Sequence, residues 1–111
     1  MRRADFDAVY QGRQRRTSAH FAVFFRPNGR AGSRFGSSVK RALGGAVRRN
    51  RIRRRVREIV RLHRGEIPAG FDVVVHPRGS VATADFARLA AELVDLLRRS
   101  LVVGQKTSEQ S

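Results

Sequence analysis

No cysteine occurs among the 111 residues. That absence removes disulfides, thiolate zinc sites and cysteine nucleophiles together, and it suits a reducing compartment. Long apolar runs are missing as well. None approaches the roughly 18 residues needed to cross a bilayer, so no membrane partner is expected. The start of the chain, MRRADFDAVY, is charged and has no apolar stretch, so a secretory signal is not expected there. The expected location is cytoplasmic. Acids are scarce: 9 Asp plus Glu stand against 24 Lys plus Arg, a formal net charge of +15. Of the basic residues only Lys40 and Lys106 are lysine. Guanidinium forks bind phosphate in a bidentate manner and stack on bases, which ammonium groups cannot do. A GC-rich genome would also favour arginine over lysine, but it would not make acids scarce. A polyanionic partner is expected.

Catalytic constellations are missing too. His20, His63 and His76 fall on three different predicted elements without metal-ligand spacing, and His63 is expected to pack in the core. Gly44–Gly45 is not followed by the Lys-Ser/Thr pair of a phosphate-binding loop. No nucleophile stands with a base. The reading is therefore no protein catalytic residue, no metal site and no cofactor bound by the protein alone.

What is present fits one compact domain over residues 1–103, followed by a polar tail, 104–111, expected to be disordered. Asp5 can cap a short helix carrying Phe6, Val9 and Tyr10 at i, i+3 and i+4, with Gly12 at its end. The segment GRQRRTSA is basic and irregular, compatible with a short edge strand. His20–Arg26, HFAVFFR, reads as a strand stopped by Pro27, Asn28 and Gly29. Arg34–Lys40 reads as another, and a hairpin between these two is the natural pairing. A helix is expected from Ala46 to Arg64, with Ile52, Val56, Ile59, Val60 and His63 on one face. Phe71–His76 is a strand. A last helix, capped by Thr83, buries Phe86, Leu89, Ala90, Leu93, Leu97 and Leu101 and turns Arg88, Glu92, Asp95 and Arg99 outward. The result is an α+β sandwich. If the strand before the long helix runs parallel to the strand after it, they enclose a βαβ crossover, right-handed by default.

Seven of the ten residues from Arg48 to Arg57 are arginine. Asn50, Arg53, Arg57, Arg61 and Arg64 form a polar line opposite the apolar stripe, about 20 Å long at 1.5 Å per residue. Arg51, Arg54 and Glu58 lie on the neighbouring flank. Glu58 is the helix's single acid, so pairing within the helix cannot neutralise this charge, and phosphates can. An acidic membrane or calmodulin would also bind a basic amphipathic helix, but this apolar stripe is needed as core. Asn50 offers a donor and an acceptor to a base edge, a ribose hydroxyl or a metal-bound water; equally, it could bond its own backbone at the helix start. On the HFAVFFR strand, Phe21, Val23 and Phe25 point to one side as core. Ala22, Phe24 and Arg26 point to the other, where Phe24 is either covered by a helix or open to stack on unpaired bases.

The stretch GSSVKRALGGAVRRNRIRRRVRE resembles the signature of the bacterial ribonuclease P protein subunit. Arg49, Asn50 and Arg51 form its R-N-R, and Ala46–Val47 stand in front. DFDAVYQG is similar to the family's first helix, and EIPAGFDVVVHPRG with the helix beyond it to the C-terminal half. The match covers about residues 3 to 101. Gly45 stands where the loop usually has Asn, and Lys40–Arg41–Ala42 replaces Ser–Lys–Lys. The resemblance implies an αβββαβα order, a mostly antiparallel four-stranded sheet and a left-handed βαβ crossover, against the default hand. It implies a subunit of an endoribonuclease that removes the 5′ leader of precursor tRNA, with the chemistry and its Mg²⁺ carried by the RNA subunit. Arg49, Asn50, Arg51, Arg53, Arg54, Arg57 and Arg61 would meet that RNA subunit. Phe6, Tyr10, Ala22, Phe24 and Arg26 would hold the leader, with Asn50 and Arg53 at the edge of its cleft. The partners are then the RNA subunit and the leader, with no obligate protein partner. The alternative is a structural RNA-binding protein of ribosomal type, with no processing role.

Overall fold

The computed structural model describes residues 3–12 and 14–110, with side chains through residue 102. Its order is α1 (Arg3–Gln11), β1 (Arg15–Thr17), β2 (Phe21–Pro27), β3 (Arg34–Ser37), α2 (Ala46–Leu62), β4 (Phe71–Pro77) and α3 (Phe86–Gln110). Short 3-10 turns lie at Arg41–Leu43, Arg64–Glu66 and Gly79–Ala82. The α+β class and the αβββαβα order stand as expected. α3 continues as helical backbone into the polar segment for which disorder is expected, but among the described side chains the last buried one is Leu101.

The strands form one mixed sheet in the order β1-β2-β4-β3. β2 lies antiparallel to β1 and to β4, and β3 runs parallel to β4. The expected hairpin between β2 and β3 is therefore absent, and β4 sits between them. The reason lies in what each strand can bury. β2 and β4 pair over their full lengths, from Phe21↔Pro77 to Pro27↔Phe71, and β4 is buried along nearly all of its length. β3 is four residues long and half-buried throughout, which suits an edge. The parallel pairing makes β3–α2–β4 a crossover unit.

Alternation along β2 divides the molecule into layers. Phe21, Val23 and Phe25 face a core with Val73 and Val75 of β4, Ile52, Val56 and Ile59 of α2, and Leu89, Leu93 and Leu97 of α3. α1 covers the opposite face, where buried Val9 and Val74 lie outside that main core. His63 departs from the expected stripe: it follows the end of α2 half-buried, with its ring against Glu66 at 2.5 Å. The cap of α3 is Asp85, whose Oδ2 accepts from the Arg88 amide at 3.0 Å, and Thr83 instead closes the preceding 3-10 turn.

Two buried or half-buried carboxylates tie the layers together. Asp72 on β4 is fully buried and accepts from Arg34 of β3 at 2.9 Å (Nε) and 2.6 Å (Nη2), and from Asn28 at 3.0 Å. Arg34 also reaches Asp5 of α1 at 3.2 Å. Glu92, expected to face outward, turns toward the β1–β2 connection. It accepts from the Ser18 hydroxyl at 2.6 Å and the His20 amide at 2.8 Å, and meets the His20 ring at 2.7 Å. Burial pushes the Glu92 carboxyl up, but these hydrogen bonds outweigh it and hold it below its usual value. The Arg34 guanidinium holds Asp72 low as well. Groups whose folded-state pKa is depressed contribute stability above their unfolded pKa and lose it as pH falls through the folded one. The melting temperature is therefore expected to fall steeply below about pH 4. Circular dichroism melts across pH 3–8 check this, and Glu92→Gln should make the acid limb shallower.

Candidate nucleic-acid interface

The arginine helix starts where the backbone demands glycine. Gly44 has φ of 135°, and a Cβ there would stand 2.6 Å from Arg48 Cδ. Gly45 is the N-cap of α2 and carries no side chain to cap it. Asn at this position would have open space and a side-chain acceptor, so Gly45→Asn should raise stability by a few tenths of a kcal/mol. A chemical-denaturation midpoint measures it.

The seven arginines from 48 to 57 divide into two groups. Arg48 donates to the Gly79 carbonyl at 2.9 Å, and Arg55 to the carbonyls of Val81 (3.0 Å) and Ala84 (2.6 Å). These two fasten α2 to the turn after β4. Their positions beside Ile52 and Val56, seven residues apart, were the sequence signal for that role. Arg51, Arg54 and Arg57 are exposed and make no side-chain hydrogen bond or ion pair among the described residues. Arg49 is half-buried, and its Nε is buried without a partner among the described residues. Asn50 bonds neither its own backbone nor a neighbouring amide. Its Oδ1 accepts from Arg53 Nη1 at 2.9 Å, so it orients that guanidinium and keeps its own amide NH₂ free to donate. Arg61 is the expected contact residue paired with an acid among the described residues, donating to both oxygens of Glu58 at 3.1 and 2.5 Å.

The line Arg53–Arg57–Arg61–Arg64 lies beside the apolar stripe and not opposite it. With Phe35, Gly36 and Ser37 of β3 it walls a groove of about 440 Å³, floored by Val56, Val60 and Val75.

The second surface is the sheet face under α1. Ala22 lies opposite His76, Phe24 opposite Val74 and Arg26 opposite Asp72. Tyr10 meets the Phe24 ring edge-on, with centroids 5.0 Å apart, and His76 lies 4.9 Å from Phe24 and 5.6 Å from Tyr10. The Arg15 guanidinium sits 5.7 Å from the Phe24 ring. Phe24 is half-buried and belongs to this corner, not to the main core. Phe6 is half-buried and makes no ring contact among the described residues. Arg26 lies beneath the end of α1, its Cβ 3.5 Å from a Cβ built on Gly12, with a buried Nε lacking a partner among the described residues.

His76 is the member of this corner that sequence reasoning missed as a site residue. Its place is fixed by cross-strand register, which the sequence alone does not reveal. Burial, with Lys40 and Arg15 nearby, pushes its pKa below the usual histidine value, while burial raises that of Tyr10. The Tyr10 hydroxyl and His76 Nε2 share a hydrogen bond of 2.7 Å. Since His76 binds its proton less readily folded than unfolded, its stabilising contribution is complete above about pH 6.5 and declines as pH falls below it.

Ser18, His20 and Glu92 lie together, but serine and histidine both bond to the carboxylate and not to each other. Among the described residues no group of three or more His, Asp or Glu side chains is placed to hold a metal ion, and no helix is long and apolar enough to cross a membrane.

A family profile described as Ribonuclease P matches residues 1–101. The chain is 44% identical over 102 residues to the ribonuclease P protein component of Desulfovibrio desulfuricans, covering 88% of this chain and 78% of the relative. It is 42% identical over 101 residues to that of Thermotoga maritima, covering 87% and 86%. The solved RNase P protein from Thermotoga maritima superposes with a TM-score of 0.84 at 41% identity, over 89% of this chain and 94% of that one. The Staphylococcus aureus RNase P protein gives 0.76 at 28% identity, over 87% and 89%.

Proposed function

The chain belongs to the ribonuclease P protein family, and from that membership we propose that it binds the RNA subunit of ribonuclease P through α2 and the 5′ leader of precursor tRNA through the sheet face under α1. Arg49, Asn50, Arg51, Arg53, Arg54, Arg57 and Arg61 meet the RNA subunit. Phe6, Tyr10, Ala22, Phe24 and Arg26 border the leader, and His76 joins them. Hydrolysis and its Mg²⁺ belong to the RNA subunit. The protein neutralises phosphate charge and holds the substrate's unpaired strand. It works in the cytoplasm.

The observation that carries this reading is the division of labour on α2. Arg48 and Arg55 fasten the helix, and Arg51, Arg54 and Arg57 stand exposed without an acidic partner among the described residues. An RNA-binding protein without a processing role would use the same arginines, but it would not need the corner of Tyr10, Phe24 and His76. Each neutralised phosphate steepens the dependence of affinity on salt by about 0.9 for duplex DNA, and roughly as much is expected for RNA. Arg53→Ala and Arg57→Ala should each flatten the salt dependence of RNA-subunit binding by somewhat less than one unit of slope. Arg61→Ala should change it less, because Glu58 already partners that charge. Unchanged slopes in both Arg53→Ala and Arg57→Ala would remove this face from the interface.

A further inference from the structure

A helix that only tracks a phosphate backbone needs no cavity, yet the arginine line of α2 forms one wall of the groove against β3. Resting on the reading that α2 meets the RNA subunit, we propose that this groove seats one unpaired nucleotide of that RNA, its base against the apolar floor and its phosphates among the arginines. Four features carry the inference. Arg53, Arg57 and Arg61 rise along one side at helical spacing, Arg64 follows in the turn after α2, and only Arg61 has an acidic partner among the described residues. The other side and floor offer the half-buried Phe35 ring and Val60. The Arg64 guanidinium stands 5.6 Å from the centre of the Phe35 ring, a cation poised over an aromatic face. At about 440 Å³ the groove has the size of a small-ligand pocket.

A nucleotide is the ligand that needs both halves of this surface. A flat ring uses the floor, as unpaired bases use aromatic platforms elsewhere, and an anionic linkage uses the guanidiniums. Its polar rim also has partners. β3 is an edge strand, so the backbone groups of its outer edge pair with no strand among the described residues, and Gly36 and Ser37 line the groove. An acidic peptide would satisfy the arginines but leave the Phe35 ring and the apolar floor unused. A phosphate track alone would leave the groove empty.

Two measurements decide it. In the first, the full chain is titrated with adenosine monophosphate and with ribose 5-phosphate while the Phe35 and Val60 resonances are followed by NMR. The base should strengthen binding at least fivefold, and Phe35→Leu, which keeps an apolar side chain against the core, should abolish that gain. Arg64→Met should weaken both probes. Equal affinities for the two probes would overturn the proposal and leave a phosphate site. In the second, bases of the RNA subunit are chemically probed in complex with wild-type protein and Phe35→Leu. One unpaired base should be protected by wild type and exposed by the variant, with affinity reduced about tenfold and an unchanged salt slope. Protection of a leader base instead, or no base-specific difference, would overturn the assigned occupant. If wild type fails to bind the RNA subunit, the functional reading falls and this occupant with it. A base preference in the titration would then show that the groove itself survives.

Discussion

Phe24→Ala in the assembled holoenzyme is expected to weaken binding of precursor tRNA carrying a 5′ leader by about tenfold or more, and to leave binding of mature tRNA nearly unchanged. The size follows from stacking: removing an aromatic platform costs about 1–3 kcal/mol per base. The selectivity follows from position. Phe24 sits on the half-buried sheet face with Tyr10, His76 and Arg15 around its ring, away from the core that Phe21 and Phe25 fill. An unpaired strand can stack there, whereas the tRNA body has no need of it. The quantity to measure is the ratio of the two dissociation constants in wild type and variant, at fixed salt and Mg²⁺. Equal losses for both substrates, or a drop in melting temperature typical of a core truncation, would make Phe24 a packing residue.

Asp72→Asn should be the most damaging single substitution for stability outside the main core. The carboxylate has no exposed surface and gathers Arg34 in a bidentate pair together with Asn28. Breaking one side of a buried pair typically costs about 3 kcal/mol or more. For a domain of this size each kcal/mol moves the melting temperature by about 4–8 °C, so a fall of more than 10 °C is expected. Arg34 also meets Asp5, so the loss should loosen α1 over the sheet as well as the edge strand. Hydrogen exchange would show this as reduced protection in α1 and β3, with α3 least affected. Replacing the pair together, Asp72→Leu with Arg34→Met, should recover part of the stability, since an apolar pair avoids the stranded charge. A melting temperature within a degree or two of wild type for Asp72→Asn would mean that the pair contributes nothing net.

Local pattern carried the sequence reading a long way. The alternation in HFAVFFR separated Phe24 from Phe21 and Phe25, and helical spacing identified Ile52, Val56, Ile59 and Val60 as the buried stripe of α2. The β2–β3 hairpin failed because hydrophobic alternation sets which way side chains face but does not rank partners. The choice went to the seven-residue ladder of β2 with β4, distant in the chain. The same non-local step hid His76, whose position beside Tyr10 and Phe24 depends on the register Ala22↔His76. It also hid Glu92, turned inward by Ser18 and His20 from the far end of the chain. The groove was missed for a different reason. A helical wheel places the arginines around an axis, but only the position of β3 reveals that Arg64 overhangs Phe35 and that Arg53 lines the same groove.

Cross-linking in living cells reads out whether this chain serves the RNA subunit and the leader together. The protein is cross-linked to RNA in living cells, purified under denaturing conditions, and the attached RNA is sequenced with cross-link positions resolved to the protein residue. The expected result is ribonuclease P RNA attached through α2, at residues such as Arg53 and Arg57, and precursor-tRNA leaders attached near Tyr10 and Phe24. Ribosomal RNA as the dominant species, with no leader reads from the Tyr10–Phe24 face, would contradict it.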